Sequence, residues 1–323
     1  MVNLKNQPIL TDTYESPNDF IPELNSIYVY GETDEIRSTH ITNFASQHNI
    51  TLLKIRDIEN NEISIEGVDF YLRSIKSLSK IWENTGKLTK IYIDITGLSH
   101  SIWSAIIKSA IDEGFVVLIV YVEPRAYIAS DTPIQGQFYD LSESILGISP
   151  LPGYATLNPK NDGFLFIPIL GFEGTRLKYI IEQIQPDHRK MFPIVGLPGF
   201  RSWYVFESLK NNVYSLKETR SWELIKYVPS DCPFSCYYQI EKIFNDYQDM
   251  HFKIAPLGTK PHALAAIMFY LNHPEVEIIY DHPVRKPGRT DGTAKLHVFH
   301  ISSIVKANPD RLSVQSRRVY SNV

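Results

Sequence analysis

Apolar positions along this chain alternate between two rhythms: short continuous runs of strand length, and longer stretches with apolar residues at helical spacing. In the first part, runs at 27–30, 51–55, 90–95 and 115–121 predict strands, while 35–47, 70–82 and 101–112 predict helices. Phe70, Leu72, Ile75, Leu78 and Trp82 carry the periodicity of the second of these helices. A second series follows, with strands at 164–170, 193–195, 252–255 and 276–280, and helices at 202–210, 237–247 and 262–271. A last apolar run at 296–305 reads as one more strand and its exit. Such alternation predicts an α/β fold of parallel sheets with crossover helices.

Between the two series the periodicity fails. Residues 131–162 carry Pro133, Pro150, Pro152 and Pro159 among several glycines, the punctuation of a connecting segment. The expected organisation is a first Rossmann-like domain over 1–135, a Pro/Gly-rich linker over 136–163, and a second Rossmann-like domain over 164–323. The two series also resemble each other. A strand leads into Asp94-Ile95-Thr96-Gly97-Leu98-Ser99-His100 in one, and into Pro256-Leu257-Gly258-Thr259-Lys260-Pro261-His262 in the other. The next strand leaves through Tyr121-Val122-Glu123-Pro124 and Tyr280-Asp281-His282-Pro283 respectively. Gly31, Glu32 and Arg37 likewise match Gly171, Glu173 and Arg176. Duplication of one unit, with the copies related by a pseudo-twofold axis, is the arrangement this pattern predicts.

Composition narrows the classes. The balance of 43% hydrophobic and 21% charged residues is that of a folded globular chain. Thirty-two Lys and Arg against 36 Asp and Glu give a net charge of −4, which disfavours wrapping of extended nucleic acid. No stretch reads as a signal peptide, and the strongest apolar run, 115–122, is far too short to span a bilayer. No membrane association and a cytoplasmic location are therefore expected. Cys232 and Cys236 stand alone and read as reduced thiols, so no metal site is expected.

In an open parallel sheet, ligands bind beyond the carboxyl ends of the strands, where helix N-termini present N–H groups and positive dipole ends. Gly258-Thr259-Lys260 lies at such a turn: glycine permits close backbone approach, threonine offers a hydroxyl, and lysine suits phosphate. Thr96 and Ser99 occupy the matching turn of the first series. Arg176, Arg201 and Arg285 follow other strand ends, with Arg289 close by, and are expected to converge on one cleft. Neither a G-x-G-x-x-G fingerprint nor a G-x-x-x-x-G-K-[ST] loop is present, which argues against a dinucleotide dehydrogenase or a P-loop ATPase. No catalytic residue is assigned. An enzyme acting on a nucleotide or nucleotide-sugar remains an alternative, with Asp94, Glu173, His262 and Asp281 as its acid–base candidates. A protein–protein scaffold is a third reading.

The turns Asp94-Ile95-Thr96-Gly97 and Gly258-Thr259-Lys260 resemble the D-x-T-G-G-T-K type turn of CRISPR-associated Rossmann fold (CARF) sensors. The resemblance implies a nucleotide-type second messenger held between two Rossmann units, contacted by Thr96 and Ser99 of one and Thr259 and Lys260 of the other. It also implies a role in prokaryotic antiviral defence, with an effector protein as partner or a homodimer as the working form. Each half carries only part of that turn: the first has Leu98 and Ser99 in place of the lysine, and the second lacks the aspartate. No R-x4-6-H ribonuclease motif follows. The cofactor and the ligand's identity are left open by the sequence.

Overall fold

A computed structural model describes residues 10–43, 49–58, 61–130, 139–156 and 163–305. In chain order the elements are β1 (Thr11–Tyr14), β2 (Ile27–Tyr30), β3 (Thr51–Ile58), β4 (Glu62–Ile65), β5 (Val68–Tyr71), α1 (Ile75–Ser79), β6 (Lys90–Asp94), α2 (His100–Asp112) and β7 (Val116–Tyr127). Then come β8 (Ser142–Ile145), β9 (Ser149–Pro150), β10 (Phe164–Ile169), α3 (Gly174–Ile184), β11 (Ile194–Gly196), α4 (Tyr204–Glu218), β12 (Lys226–Val228) and α5 (Pro233–Asp246). The last are β13 (His251–Pro256), α6 (Lys260–Asn272), β14 (Glu277–Tyr280), β15 (Pro283–Arg285) and β16 (Thr290–Phe299). The expected mixed α/β character, with parallel strand pairs, is present.

The chain divides into two compact units. The first holds the residues up to Thr33, Ser38–Val122 and those from Lys295 onward; the second holds Asp34–Arg37 and Glu123–Ala294. The division therefore falls inside β7 and inside β16, rather than in the Pro/Gly-rich stretch. The described part of that stretch is built into the second unit: β8 pairs antiparallel with β15, β9 pairs with β14, and Leu151 and Tyr154 are buried.

The first unit is built on an eight-stranded sheet in the order β1-β16-β7-β6-β2-β3-β4-β5. Its centre, β3-β2-β6-β7, is parallel, and the apolar runs of β2, β6 and β7 are buried on both faces as parallel sheets require, while β3 buries only Ile55. Tyr28, Tyr92, Leu118, Val120 and Val298 pack with Phe20 and Ile41 over one face. Two expected helices come out differently. The segment 35–47 forms short 3-10 turns at Ile36–Ser38 and His40–Asn43, with 44–48 outside the described residues. The segment 70–82 begins as strand β5 and becomes helical only from Ile75. The cause is the β3–β4–β5 meander, whose pairing of Ile63 with Phe70 takes those apolar residues into the sheet.

The second unit has a six-stranded sheet in the order β12-β11-β10-β13-β14-β9, in which the first five strands are parallel. Counted along the chain, the parallel strands run third, second, first, fourth, fifth, the Rossmann order, with the switch point between β10 and β13. Phe166, Leu177, Ile180, Met191, Val195 and Ala255 centre one core cluster. Helix α6 is apolar on every side, and residues 261–270 are all buried; Tyr154 packs tilted against Tyr270, and Tyr237 of α5 packs edge-on against Phe269.

Candidate phosphate site at the sheet edge

At the carboxyl end of β10, Gly171 lies so close to the turn after β13 that a Cβ would sit 2.3 Å from the Leu257 carbonyl oxygen. Gly258 meets Leu170 in the same way, at 2.8 Å from its carbonyl oxygen. The two switch-point turns thus touch backbone to backbone, which only glycine permits. The first unit repeats the device between β2 and β6, where a Cβ on Gly97 would fall 1.9 Å from the Gly31 carbonyl oxygen.

Helix α6 starts at this turn. Thr259 is its N-cap: its hydroxyl accepts from the His262 N–H at 3.4 Å and donates to the Ser230 carbonyl at 2.7 Å. His262 Nε2 lies 2.7 Å from the Pro229 carbonyl, which can only accept, so this nitrogen carries the proton. Burial pushes the His262 imidazolium down to about 4 against the pull of that carbonyl and of Asp231, so the ring is neutral.

Lys260 opens the helix, half-buried. Burial, then the guanidiniums of Arg37 and Arg289 and that of Arg285, push its ammonium well below the usual lysine range, with Glu35 opposing. Glu35 is buried and accepts from Arg37 Nε at 2.5 Å, Arg289 Nε at 2.7 Å and the Thr290 hydroxyl at 2.9 Å. Burial disfavours its charge, yet Arg37 and Arg289 bring it down to about 2. Arg285 is lowered by burial and by Arg176 and Arg289, against Tyr280 and Glu173. Four cations from α6, the β15–β16 region and the Asp34–Arg37 segment therefore act on one another within the second unit.

The expected site residues separate into two groups. Gly258, Thr259 and Lys260 share the turn into α6, and the charge of Arg285 is felt at Lys260. Arg176 is nearby but fully buried, joined to Asp281 by two bonds of 2.7 and 2.6 Å, with Glu173 Oε2 at 3.6 Å. It braces the sheet edge: removing one partner of such a pair strands a buried charge, at a cost of about 3–5 kcal/mol. Glu173 in turn accepts from the Leu141 N–H and the Ser142 hydroxyl, both at 3.0 Å, and stands 3.5 Å from Arg285 Nη1. Arg201 donates to the Arg125 carbonyl at 3.0 and 2.6 Å. In the first unit Thr96 is buried and accepts from the Val122 N–H at 3.0 Å, a fold contact; Ser99 is exposed at the start of α2.

Asp94 is held by the Tyr28 hydroxyl at 3.1 Å and the Thr96 N–H at 2.8 Å. All four acid–base candidates, Asp94, Glu173, His262 and Asp281, are thus engaged in holding the fold. Sequence reasoning missed Glu35 as a site residue. It falls at the start of 35–47, which the sequence predicts as a helix.

Next to the cation cluster, the loop after β10 carries aromatic residues. Phe172 is half-buried and stacks on Tyr139 at 4.6 Å between ring centroids, with Tyr204 at 5.0 Å and Tyr127 at 5.4 Å. A separate open cavity of about 420 Å³ in the first unit is lined by Glu23, Asn25, Lys87 and Lys90. It lies at the amino ends of β2 and β6, away from the carboxyl rim where α/β sheets bind ligands. Among the described residues, no helix is long and apolar enough to cross a membrane. In comparisons with known proteins, the chain matches no protein-family model, and no curated protein shows significant similarity to it.

Proposed function

We propose that the second unit binds a phosphate-bearing, nucleotide-type small molecule at the carboxyl edge of its sheet. The observation that carries this reading is the gathering of Arg37, Arg285 and Arg289 around Lys260 at the N-terminus of α6, beside the Rossmann switch point. A positive helix end and clustered guanidiniums favour a phosphate. We read the two units as copies of one ancestral unit. Their shared central order and their glycine pairs, Gly31 with Gly97 and Gly171 with Gly258, support this. On the CARF resemblance, the ligand is a second messenger in defence, and an effector protein receives the signal.

The test is a thermal-shift series with pyrophosphate, ATP, NAD, and linear and cyclic oligoadenylates, on the native chain and on Lys260→Met. A ligand of the folded state raises Tm as its concentration passes Kd. The expected result is a rise with at least one phosphate ligand that vanishes in the variant. The unliganded variant keeps the native circular dichroism spectrum, so that a lost shift reports binding rather than unfolding. No shift with any of these compounds overturns the reading and favours a protein partner instead.

A further inference from the structure

The shape of the cation cluster bears on which kind of phosphate the site takes. Lys260 begins α6, Arg285 ends β15, Arg289 follows four residues later, and Arg37 comes from a 3-10 turn. All three guanidiniums act on the one ammonium. Glu35 ties Arg37 to Arg289, and Glu173 stands between Arg176 and Arg285 at 3.6 and 3.5 Å. The carboxylates therefore hold the arginines in two compact pairs, Arg37 with Arg289 and Arg176 with Arg285. A strip that follows a nucleic-acid backbone would space them along a groove instead. The other charges at this edge are the exposed Asp34, which accepts from the Gly288 N–H, and the Lys286–Asp140 pair.

A compact cluster of donors suits an anion whose oxygens point in several directions from one centre. A terminal phosphate has three such oxygens and a charge of about −1.5 to −2 at neutral pH. A phosphodiester offers two free oxygens and a single negative charge. In a half-buried setting the second charge gains more than it would in water. We infer that the site takes a terminal phosphate, as in a nucleoside monophosphate or a diphosphate end, in preference to the phosphodiester of a cyclic nucleotide. The inference rests on the phosphate-binding reading above and narrows it.

Titration calorimetry with AMP and 3′,5′-cyclic AMP tests it, because the two differ in the ester and share base and sugar. Pyrophosphate serves as a probe without a base. AMP is expected to bind at least about ten-fold tighter than cyclic AMP, through charge-assisted bonds to a third oxygen. Its affinity should fall below pH 6 as the phosphate takes up its second proton, with no parallel fall for cyclic AMP. Arg289→Gln should narrow the gap between the two, while Lys260→Arg, which keeps the charge, should preserve it. Cyclic AMP binding as tightly as AMP, or tighter, overturns the inference and leaves the phosphate-binding reading standing. If pyrophosphate, AMP and cyclic AMP all fail to bind a chain with native circular dichroism, both fall together.

Discussion

His262 shows how a residue that looks catalytic by position can be structural by environment. It stands at the start of α6, beside Lys260, yet it is buried and spends its one N–H on the Pro229 carbonyl. Its folded pKa, about 4, lies below the ordinary histidine value of about 6.5, so the unfolded chain binds the proton more readily. The stability this provides is full above about pH 6.5 and is lost as pH falls toward 4, a span worth about 3 kcal/mol. Melting curves between pH 7 and 4 should show that loss. His262→Gln, which keeps a donor for the Pro229 carbonyl but cannot protonate, should flatten it. An unchanged slope would mean that His262 takes up its proton as readily in the folded chain as in the unfolded one. Arg176 carries the same lesson: a candidate ligand residue in the sequence, it is sealed against Asp281 in the fold.

At the scale of elements, the two strand-to-helix turns of the switch point work as one part, because Gly171 and Gly258 let β10 and β13 end in contact. Gly171→Ala would place a methyl 2.3 Å from the Leu257 carbonyl oxygen and force the turn that carries Thr259 and Lys260 to move. A loss of about 2–3 kcal/mol is expected from denaturant unfolding, along with weaker phosphate binding. Gly86→Ala is the control: its Cβ would meet nothing closer than 3.6 Å, so near-native stability is expected. Equal stability of the two variants would show that the turns can separate at little cost. The short elements also explain the misread helices. The helical spacing at 70–82 was real, but Phe70 answers to its strand partner Ile63 before it answers to the next turn of a helix. At 35–47, Glu35 is held by Arg289, which lies 254 residues away, and no local pattern encodes that bond.

At the scale of the whole molecule, two units share a central strand order but differ in charge at their switch points. The first has Leu98 and Ser99 where the second has Lys260 and Pro261, so its turn lacks the lysine on which the arginines of the second act. Hydrogen exchange with a bound phosphate ligand should therefore show added protection at 34–37, 171–176, 257–263 and 283–290, and none at 31–33 or 95–99. Protection at the first unit's turn would assign it a binding role of its own. The net charge of −4 coexists with this cluster because burial and paired carboxylates keep the cations local.

The parallel α/β character, the position of most central strands and the strand-to-helix turn at 256–262 were legible in the sequence, because buried parallel strands and strand-to-helix turns leave contiguous local signals. The placement of Gly258, Thr259 and Lys260 between a strand and a helix was legible for the same reason. The tertiary structure alone decided that the chain divides inside β7 and β16 and that the Pro/Gly-rich stretch supplies edge strands. It also decided that Arg176 is a brace and that Glu35 and Arg37 belong with residues some 250 positions later. These are ion pairs and strand pairings between distant segments, which depend on where the folded backbone brings charges and edges together rather than on any neighbouring residue.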